Sequence, residues 1–163
     1  MSIVEQIEDL IEKNASDFEI SKIFKTYISE YKASLPKLFE SSQGKDFLVK
    51  HTQALDAIII QMYKTVLRRS FGNYLPMRSS IPIAIVALGS YGREQLCVHS
   101  DIDLMIVYVP LEGYNNEAII EKFLYLAWDS GLKLGDLVFA MVNEEDVMAL
   151  VEYPQTQETD DVE

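Results

Sequence analysis

The chain has 163 residues, of which 48% are hydrophobic and 25% charged, and its formal net charge is −12. This composition is typical of a globular protein with its own core, and no apolar run is long enough to cross a bilayer. The acidic excess disfavours long DNA or RNA as a partner, because no stripe of Lys and Arg is available to neutralise phosphates. A single cysteine, Cys97, and an N-terminus without a signal-peptide pattern lead us to expect a cytoplasmic protein without membrane association.

Residues 1–75 are predicted to form an N-terminal helical bundle. Two capping-box patterns, Ser2-x-x-Glu5 and Ser16-x-x-Glu19, each precede apolar residues at helical spacing. Such stripes are typical of the core of a bundle.

The later part of this region is predicted to hold two more helices. Pro36 suits the first turn of a short helix that ends before the breakers at 41–44. A longer amphipathic pattern runs from Lys45 to Phe71, and Gly72 begins the breaker-rich stretch that ends the helical region.

From residue 76 the composition changes to that of a small α/β domain. The continuous apolar runs 81–88, 102–109 and 137–142 predict strands, and the first is expected to be buried on both faces.

Helix signals separate and follow the last two runs. Asn115 or Asn116 is predicted to cap a helix that runs to Ser130, with Gly131 as its C′ glycine. Asn143 is then predicted to cap a short helix that ends at Leu150. The polar, acidic residues 154–163 are expected to be a disordered tail, which leaves 76–153 as the second domain.

Two aspartates at the start of the second strand are the strongest chemical signal. Residues i and i+2 of a strand point to the same face, so Asp101 and Asp103 should project together with Cα atoms about 7 Å apart. Their charges then repel by about 2 kcal/mol at an effective dielectric of 20, which a shared cation relieves. Oxygen ligands at this spacing suit Mg²⁺.

The segment before these aspartates carries groups suited to a phosphate. Gly89, at the end of the first strand, allows close backbone approach, and Ser90 adds a hydroxyl and an N–H. Arg93 is placed to contact a phosphate oxygen bidentately. Together these residues predict a site for phosphoryl or nucleotidyl transfer.

Asp136 is the candidate for a third carboxylate, because it begins the third predicted strand. It would bind a second metal ion or accept the proton of the attacking hydroxyl. Alternatively, it satisfies backbone N–H groups at a strand end. Taken alone, Asp-x-Asp can also be a solvated strand edge. We interpret Lys133 as a surface charge and His99 as a loop histidine.

These residues resemble the signature of the DNA polymerase beta-like nucleotidyltransferase superfamily. Leu88-Gly89-Ser90, a ten-residue loop and Asp101-Ile102-Asp103-Leu104 satisfy its terms. Within it, residues 84–108 and the later segment 126–135 are most similar to the N-terminal domain of bacterial PII uridylyltransferases. One departure is that the similar motif reads Gly-Arg-Gly-Glu-Leu, whereas this chain has Glu94 and Gln95 at its third and fourth positions.

The resemblance implies an α/β (α+β) nucleotidyltransferase domain with a small mixed sheet. It implies transfer of an NMP, UMP or AMP, from an NTP to a protein acceptor that is PII-like or another partner protein. The expected cofactor is Mg²⁺, with Mn²⁺ as an alternative. Asp101, Asp103 and Asp136 are the expected catalytic and metal residues. The expected nucleotide-binding residues are Gly89, Ser90, Arg93 and Ser100.

Two alternative functions stay open. One is an inactive nucleotide-binding regulatory module, which the altered Glu94-Gln95 pair favours. The other is a stand-alone nucleotidyltransferase that modifies a toxin.

Overall fold

Five helices and three strands make up the described parts of the chain. The computed structural model describes residues 2–73 and 81–143. In chain order the elements are α1 (Ile3–Glu12), α2 (Asp17–Ser41), α3 (Lys45–Phe71), β1 (Ile83–Ala87), α4 (Gly89–Gly92), β2 (Ile102–Tyr108), α5 (Asn116–Asp129) and β3 (Leu134–Met141). A small sheet preceded by helices confirms the predicted α+β class. The predicted helix from Asn143 to Leu150 and the predicted tail lie outside the described residues.

The first two helices begin where their capping boxes predict. The hydroxyl of Ser2 accepts a hydrogen bond from the Glu5 N–H, and the Glu5 carboxylate accepts one from the Ser2 N–H. Ser16 and Glu19 make the same reciprocal pair at the start of α2. These contacts satisfy N–H groups that have no partner inside the helix.

Pro36 lies inside α2, so the prediction of a separate short helix starting there is wrong. A proline in a helix removes one backbone hydrogen bond, here to the carbonyl of Lys32. Lys32 is exposed, so water can bond to its unpaired carbonyl. Pro36 also lies near the end of α2, so little of the helix follows it. The buried Leu35 holds the segment against the core, and packing therefore outweighs the local cost of proline.

The sheet is mixed and has the order β1-β2-β3. β1 runs antiparallel to β2, with Ala87 opposite Leu104, and β2 runs parallel to β3, with Leu104 opposite Leu137. α5 is the crossover helix that a parallel pair requires. Asn115 caps this helix through its side-chain oxygen, and Gly131 follows with a φ of +85°.

Only one face of the sheet is covered by the described helices. Ile102, Leu104 and Ile106 point into the core, whereas Ala84 and Val86 of β1 are exposed. The prediction that the first strand is buried on both faces is therefore wrong. A continuous apolar run does not reveal which faces of a strand the described helices cover.

The helices and the sheet share one hydrophobic core. Phe24 of α2, Met62 of α3 and Phe123 of α5 are all fully buried within the cluster that also contains Leu104 of β2. The two regions predicted from composition therefore pack together and fix the position of the sheet end where the aspartates lie. No helix within residues 2–73 and 81–143 is long and apolar enough to cross a membrane.

Candidate active site

Three backbone segments meet at one end of the sheet, around Asp103. The Leu88 N–H donates to the Asp103 carbonyl at 3.0 Å, which joins the end of β1 to the start of β2. The Ile102 N–H donates to the Lys133 carbonyl at 2.9 Å, which joins β2 to the segment before β3. The backbone of Ile102 and Asp103 is thus fixed between the end of β1 and the segment before β3.

The Asp103 carboxylate lies against two glycines. A Cβ on Gly89 would lie 2.8 Å from Oδ2, and a Cβ on Gly135 would collide with Oδ1. Gly89 also has a φ of +56°, where L side chains are strained. A side chain at either position would therefore displace the Asp103 carboxylate, and the predicted approach of the Gly89 backbone to a phosphate stays a prediction.

A local irregularity in β3 directs a backbone donor at Asp103. Ile102 pairs with Leu134 and Leu104 with Leu137, so two residues of β3 lie opposite one residue of β2. This is the arrangement of a β-bulge, which turns groups out of the ladder. As a result the Asp136 N–H donates to Asp103 Oδ1 at 3.0 Å.

Asp101 lies beside Asp103, immediately before β2. A Cβ on Gly135 would lie 2.9 Å from the Asp101 Cβ, so both aspartates border the same glycine. Asp101 Oδ1 is buried, and its partner is the Lys133 ammonium, whose Nζ lies 2.7 Å away as an ion pair. This oxygen is therefore paired with a cation, and a divalent ion is a chemically similar partner for it.

The fit of a divalent cation rests on these two carboxylates. Mg²⁺ usually takes one or two carboxylates and completes its shell with water and phosphate. Asp101 and Asp103 offer that number of ligands next to Gly135, and the buried Asp101 Oδ1 already holds a cation, the Lys133 ammonium. The residues therefore fit such an ion.

The predicted third carboxylate is not part of a cluster in the described residues. Within 2–73 and 81–143, no group of three or more His, Cys, Asp or Glu side chains is arranged to hold a metal ion. The Asp136 side chain is exposed, and the contact with Asp103 is made by its backbone. Its catalytic and metal-binding roles stay predictions.

The Gly-Ser segment is anchored by a contact that the sequence did not reveal. Gly89 and Ser90 open the short helix α4, and Tyr91 in the same helix is buried. The Tyr91 hydroxyl donates to Asp56 Oδ1 of α3 at 2.6 Å. Burial and, after it, the contact with Asp56 raise the pKa of Tyr91 far above its usual value, so the phenol remains a donor.

The remaining predicted nucleotide-binding residues surround this segment. Arg93 is exposed at the end of α4, and Ser100 is exposed directly before Asp101. The Ser100 N–H donates to the Cys97 carbonyl at 3.0 Å, which closes a turn that leads into β2. Both side chains are accessible to a ligand, and their binding roles stay predictions.

Lys133 differs from its interpretation as a plain surface charge. Its side chain is 75% exposed, but its ammonium pairs with Asp101. Lys133 and Asp101 are far apart in the sequence, and the pair forms only because β2 and β3 are adjacent. In the sequence, only the position of Lys133 close to a predicted strand pointed to this ion pair.

The chain was compared with known proteins. Its residues 11–126 match the family model of GlnE, glutamate-ammonia ligase adenylyltransferase. Similar curated relatives are named bifunctional uridylyltransferase/uridylyl-removing enzyme. The relative from Pseudomonas putida is 50% identical over 56 residues, which are 34% of this chain and 6% of the relative. The relative from Nitrobacter winogradskyi is 30% identical over 142 residues, which are 82% of this chain and 15% of the relative. No solved structure matches the chain.

The matched length limits what these relatives imply. The chain spans only 6% to 15% of the curated relatives it matches. The matching family model, by contrast, covers most of this chain, including α2, α3 and the segment from Gly89 to Asp103.

Proposed function

Because the chain belongs to the glutamate-ammonia ligase adenylyltransferase family of nucleotidyltransferases, we propose that it transfers an NMP from an Mg²⁺-bound NTP to a protein side chain. The observation that carries this proposal is the pair of carboxylates, Asp101 and Asp103, bordering Gly135 and facing the close backbone approach of Gly89. In this proposal the pair supplies the metal ligands, and the Gly89 segment supplies backbone N–H donors to a phosphate.

The proposed reaction joins the acceptor to the α-phosphorus of the NTP. The acceptor oxygen, a hydroxyl in our proposal, bonds to the α-phosphorus, the bond to the bridging oxygen breaks, and pyrophosphate leaves. A bound divalent cation would stabilise the charge that develops on the phosphate oxygens. Mg²⁺ is the proposed ion, with Mn²⁺ as an alternative.

Each predicted site residue has a proposed task in this reaction. Asp101 and Asp103 hold the cation, and Gly89 and Ser90 contact the triphosphate through backbone N–H groups and the serine hydroxyl. Arg93 and Ser100 bind phosphate oxygens from the exposed side of the site. Asp136 accepts the proton of the attacking hydroxyl or binds a second cation.

The choice of nucleotide is supported by the names of the relatives. The curated relatives are named uridylyltransferases and the family model an adenylyltransferase, so UTP and ATP are the two candidate donors. The acceptor we propose is a PII-like protein or another partner protein. We propose that the reaction takes place in the cytoplasm.

A second candidate function is a nucleotide-binding regulatory module without transfer activity. Glu94, at a position where the similar motif has glycine, favours it, because this residue has a φ of +54° in the loop after α4. An altered loop could retain nucleotide binding while misplacing the groups needed for transfer. The regulatory module predicts Mg²⁺-dependent binding of NTP without transfer of label to any acceptor.

Replacement of either metal-binding aspartate tests the proposed function. Asp101→Asn and Asp103→Asn each remove a negative charge while keeping the size of the side chain. We expect each to lower transfer of label from α-³²P-UTP or α-³²P-ATP to a PII-like acceptor by about a hundredfold or more, the scale of losing a main electrostatic contact in the transition state. Circular dichroism should show an unchanged fold.

The matched control is Asp129→Asn, an exposed aspartate at the end of α5. It should transfer label at the wild-type rate. Full activity in both site variants would contradict the proposed function. Nucleotide binding without transfer by the wild-type protein would favour the regulatory module.

A further inference from the structure

The ion pair between Lys133 and Asp101 lies at the proposed cation site. Lys133 Nζ is 2.7 Å from Asp101 Oδ1, and this buried oxygen has no other donor beside it among the described residues. Asp103 borders the same glycine, Gly135, as Asp101, and its Oδ1 already accepts the Asp136 N–H. The ammonium is therefore the cation that offsets the charge of the Asp101 carboxylate in the described structure.

The backbone of Lys133 is fixed next to Asp101. Its carbonyl accepts the Ile102 N–H at 2.9 Å, one residue after Asp101. The strand β3 begins at the following residue, Leu134, which pairs with Ile102. The Lys133 side chain is exposed along most of its length, but the position of its backbone is fixed by the bond to β2. The fold thus places the backbone of Lys133 within reach of the Asp101 carboxylate.

We propose that Lys133 is a built-in counter-ion of the metal-free site, and that a divalent cation must displace its ammonium from Asp101 Oδ1 in order to bind. This inference rests on the proposed function, since it concerns the same site. Two cations cannot occupy the same side of one carboxylate oxygen, because they repel each other and need the same lone pairs. Lys133 therefore lowers the affinity of the site for a free divalent cation.

The consequence is a preference for a cation that arrives with a triphosphate. A free divalent cation adds two positive charges next to the ammonium, whereas a cation bound to an NTP arrives with compensating negative charge. The site is then filled mainly when the nucleotide is present. Lys133 acts in this account as a positioning residue, through Asp101, and not as a catalytic one.

A titration with Mn²⁺ in the absence of nucleotide tests this inference. Lys133→Met keeps an unbranched side chain, one atom shorter, and removes the charge. Lys25→Met removes the charge of an exposed lysine on α2 as the control. Thermal unfolding is followed at increasing Mn²⁺ concentration. We expect Lys133→Met to bind Mn²⁺ about two- to fivefold more tightly than wild type, the scale of one partly exposed charge contact. Lys25→Met should match wild type.

The outcomes separate this inference from the proposed function. Equal Mn²⁺ affinity of wild type and Lys133→Met overturns the inference, provided that Asp101→Asn abolishes the response and so places the cation at this site. Mn²⁺ stabilisation of Asp101→Asn equal to that of wild type overturns the metal site itself, as does the absence of a response in every variant. If Mn²⁺ stabilises Lys133→Met and not the wild type, the inference is supported, since the lysine then excludes the cation. Lys133→Gln should repeat the result of Lys133→Met, which excludes a specific effect of methionine.

Discussion

Glu94 adopts a backbone conformation that favours glycine. Its φ is +54°, in the left-handed region, and it lies in the loop between α4 and β2. The similar family motif has glycine at this position, so the departure that we noted in the sequence has a structural consequence. A non-glycine residue is tolerated here at a cost, and the loop that carries Arg93 is correspondingly less stable.

We expect Glu94→Gly to raise the free energy of unfolding. Relief of the left-handed conformation is worth about 1–2 kcal/mol, and the added freedom of glycine in the unfolded chain removes up to about 1 kcal/mol of that gain. The net increase should be about 0.5–1 kcal/mol, measured by urea unfolding. Gln95→Gly, at the neighbouring position without a positive φ, should instead lower stability. A decrease in both variants would contradict the assigned strain.

At the same scale, the sequence predicted the residues whose role depends on local spacing. Asp101, Asp103, Gly89 and Ser90 follow from a motif and from strand periodicity, and the structure brings the first three together. Lys133 was interpreted as a surface charge because its contact depends on strand pairing between distant segments. Asp56 was not singled out, since nothing in a helical pattern indicates that one of its polar residues faces a later loop.

Among the elements, α4 depends most on its neighbours. It has four residues, too few to be stable alone, and it carries the Gly-Ser segment. Its attachment to the helical region is the hydrogen bond from Tyr91 to Asp56 of α3. The N-terminal helices thus help to position the proposed phosphate-binding segment.

Tyr91→Phe should loosen this attachment. The variant leaves the half-buried Asp56 carboxylate without the Tyr91 hydroxyl as donor, and we expect a loss of about 1–2 kcal/mol in the free energy of unfolding. Binding of NTP with Mg²⁺, measured by calorimetry, should weaken as Gly89 and Ser90 shift. Tyr27→Phe, which alters an exposed tyrosine of α2, should change neither quantity. Wild-type stability and affinity in Tyr91→Phe would show that the bond does not position α4.

The bounds of α3 follow from its own sequence, whereas those of β3 do not. α3 runs from Lys45 to Phe71, as its pattern and the glycine after it predict. β3 was predicted from residue 137 but begins at Leu134, because pairing with β2 and a bulge extend it through Gly135. Sheet pairing and bulges depend on a partner strand, and the sequence of one strand does not specify them.

For the whole molecule, one core links the helical region to the sheet, and the proposed site lies at one end of that sheet. The cluster extends from Ile7 of α1 to Leu132 before β3. The domain boundary predicted near residue 75 therefore marks a change in composition rather than a separation of cores within the described residues. With a net charge of −12, the protein is acidic and repels a free triphosphate. A triphosphate is expected to bind together with divalent cations that offset this charge.

The most direct test of this account is the thermal stability of the wild-type protein and Asp103→Asn with ATP, UTP, CTP or GTP, each with and without Mg²⁺. We expect at least one NTP to stabilise the wild type only when Mg²⁺ is present, by about 2.7 kcal/mol at a hundredfold excess over its dissociation constant. Asp103→Asn should lose this stabilisation. Equal stabilisation of both proteins, or none in the wild type with any NTP, would contradict nucleotide binding at the Asp101–Asp103 site.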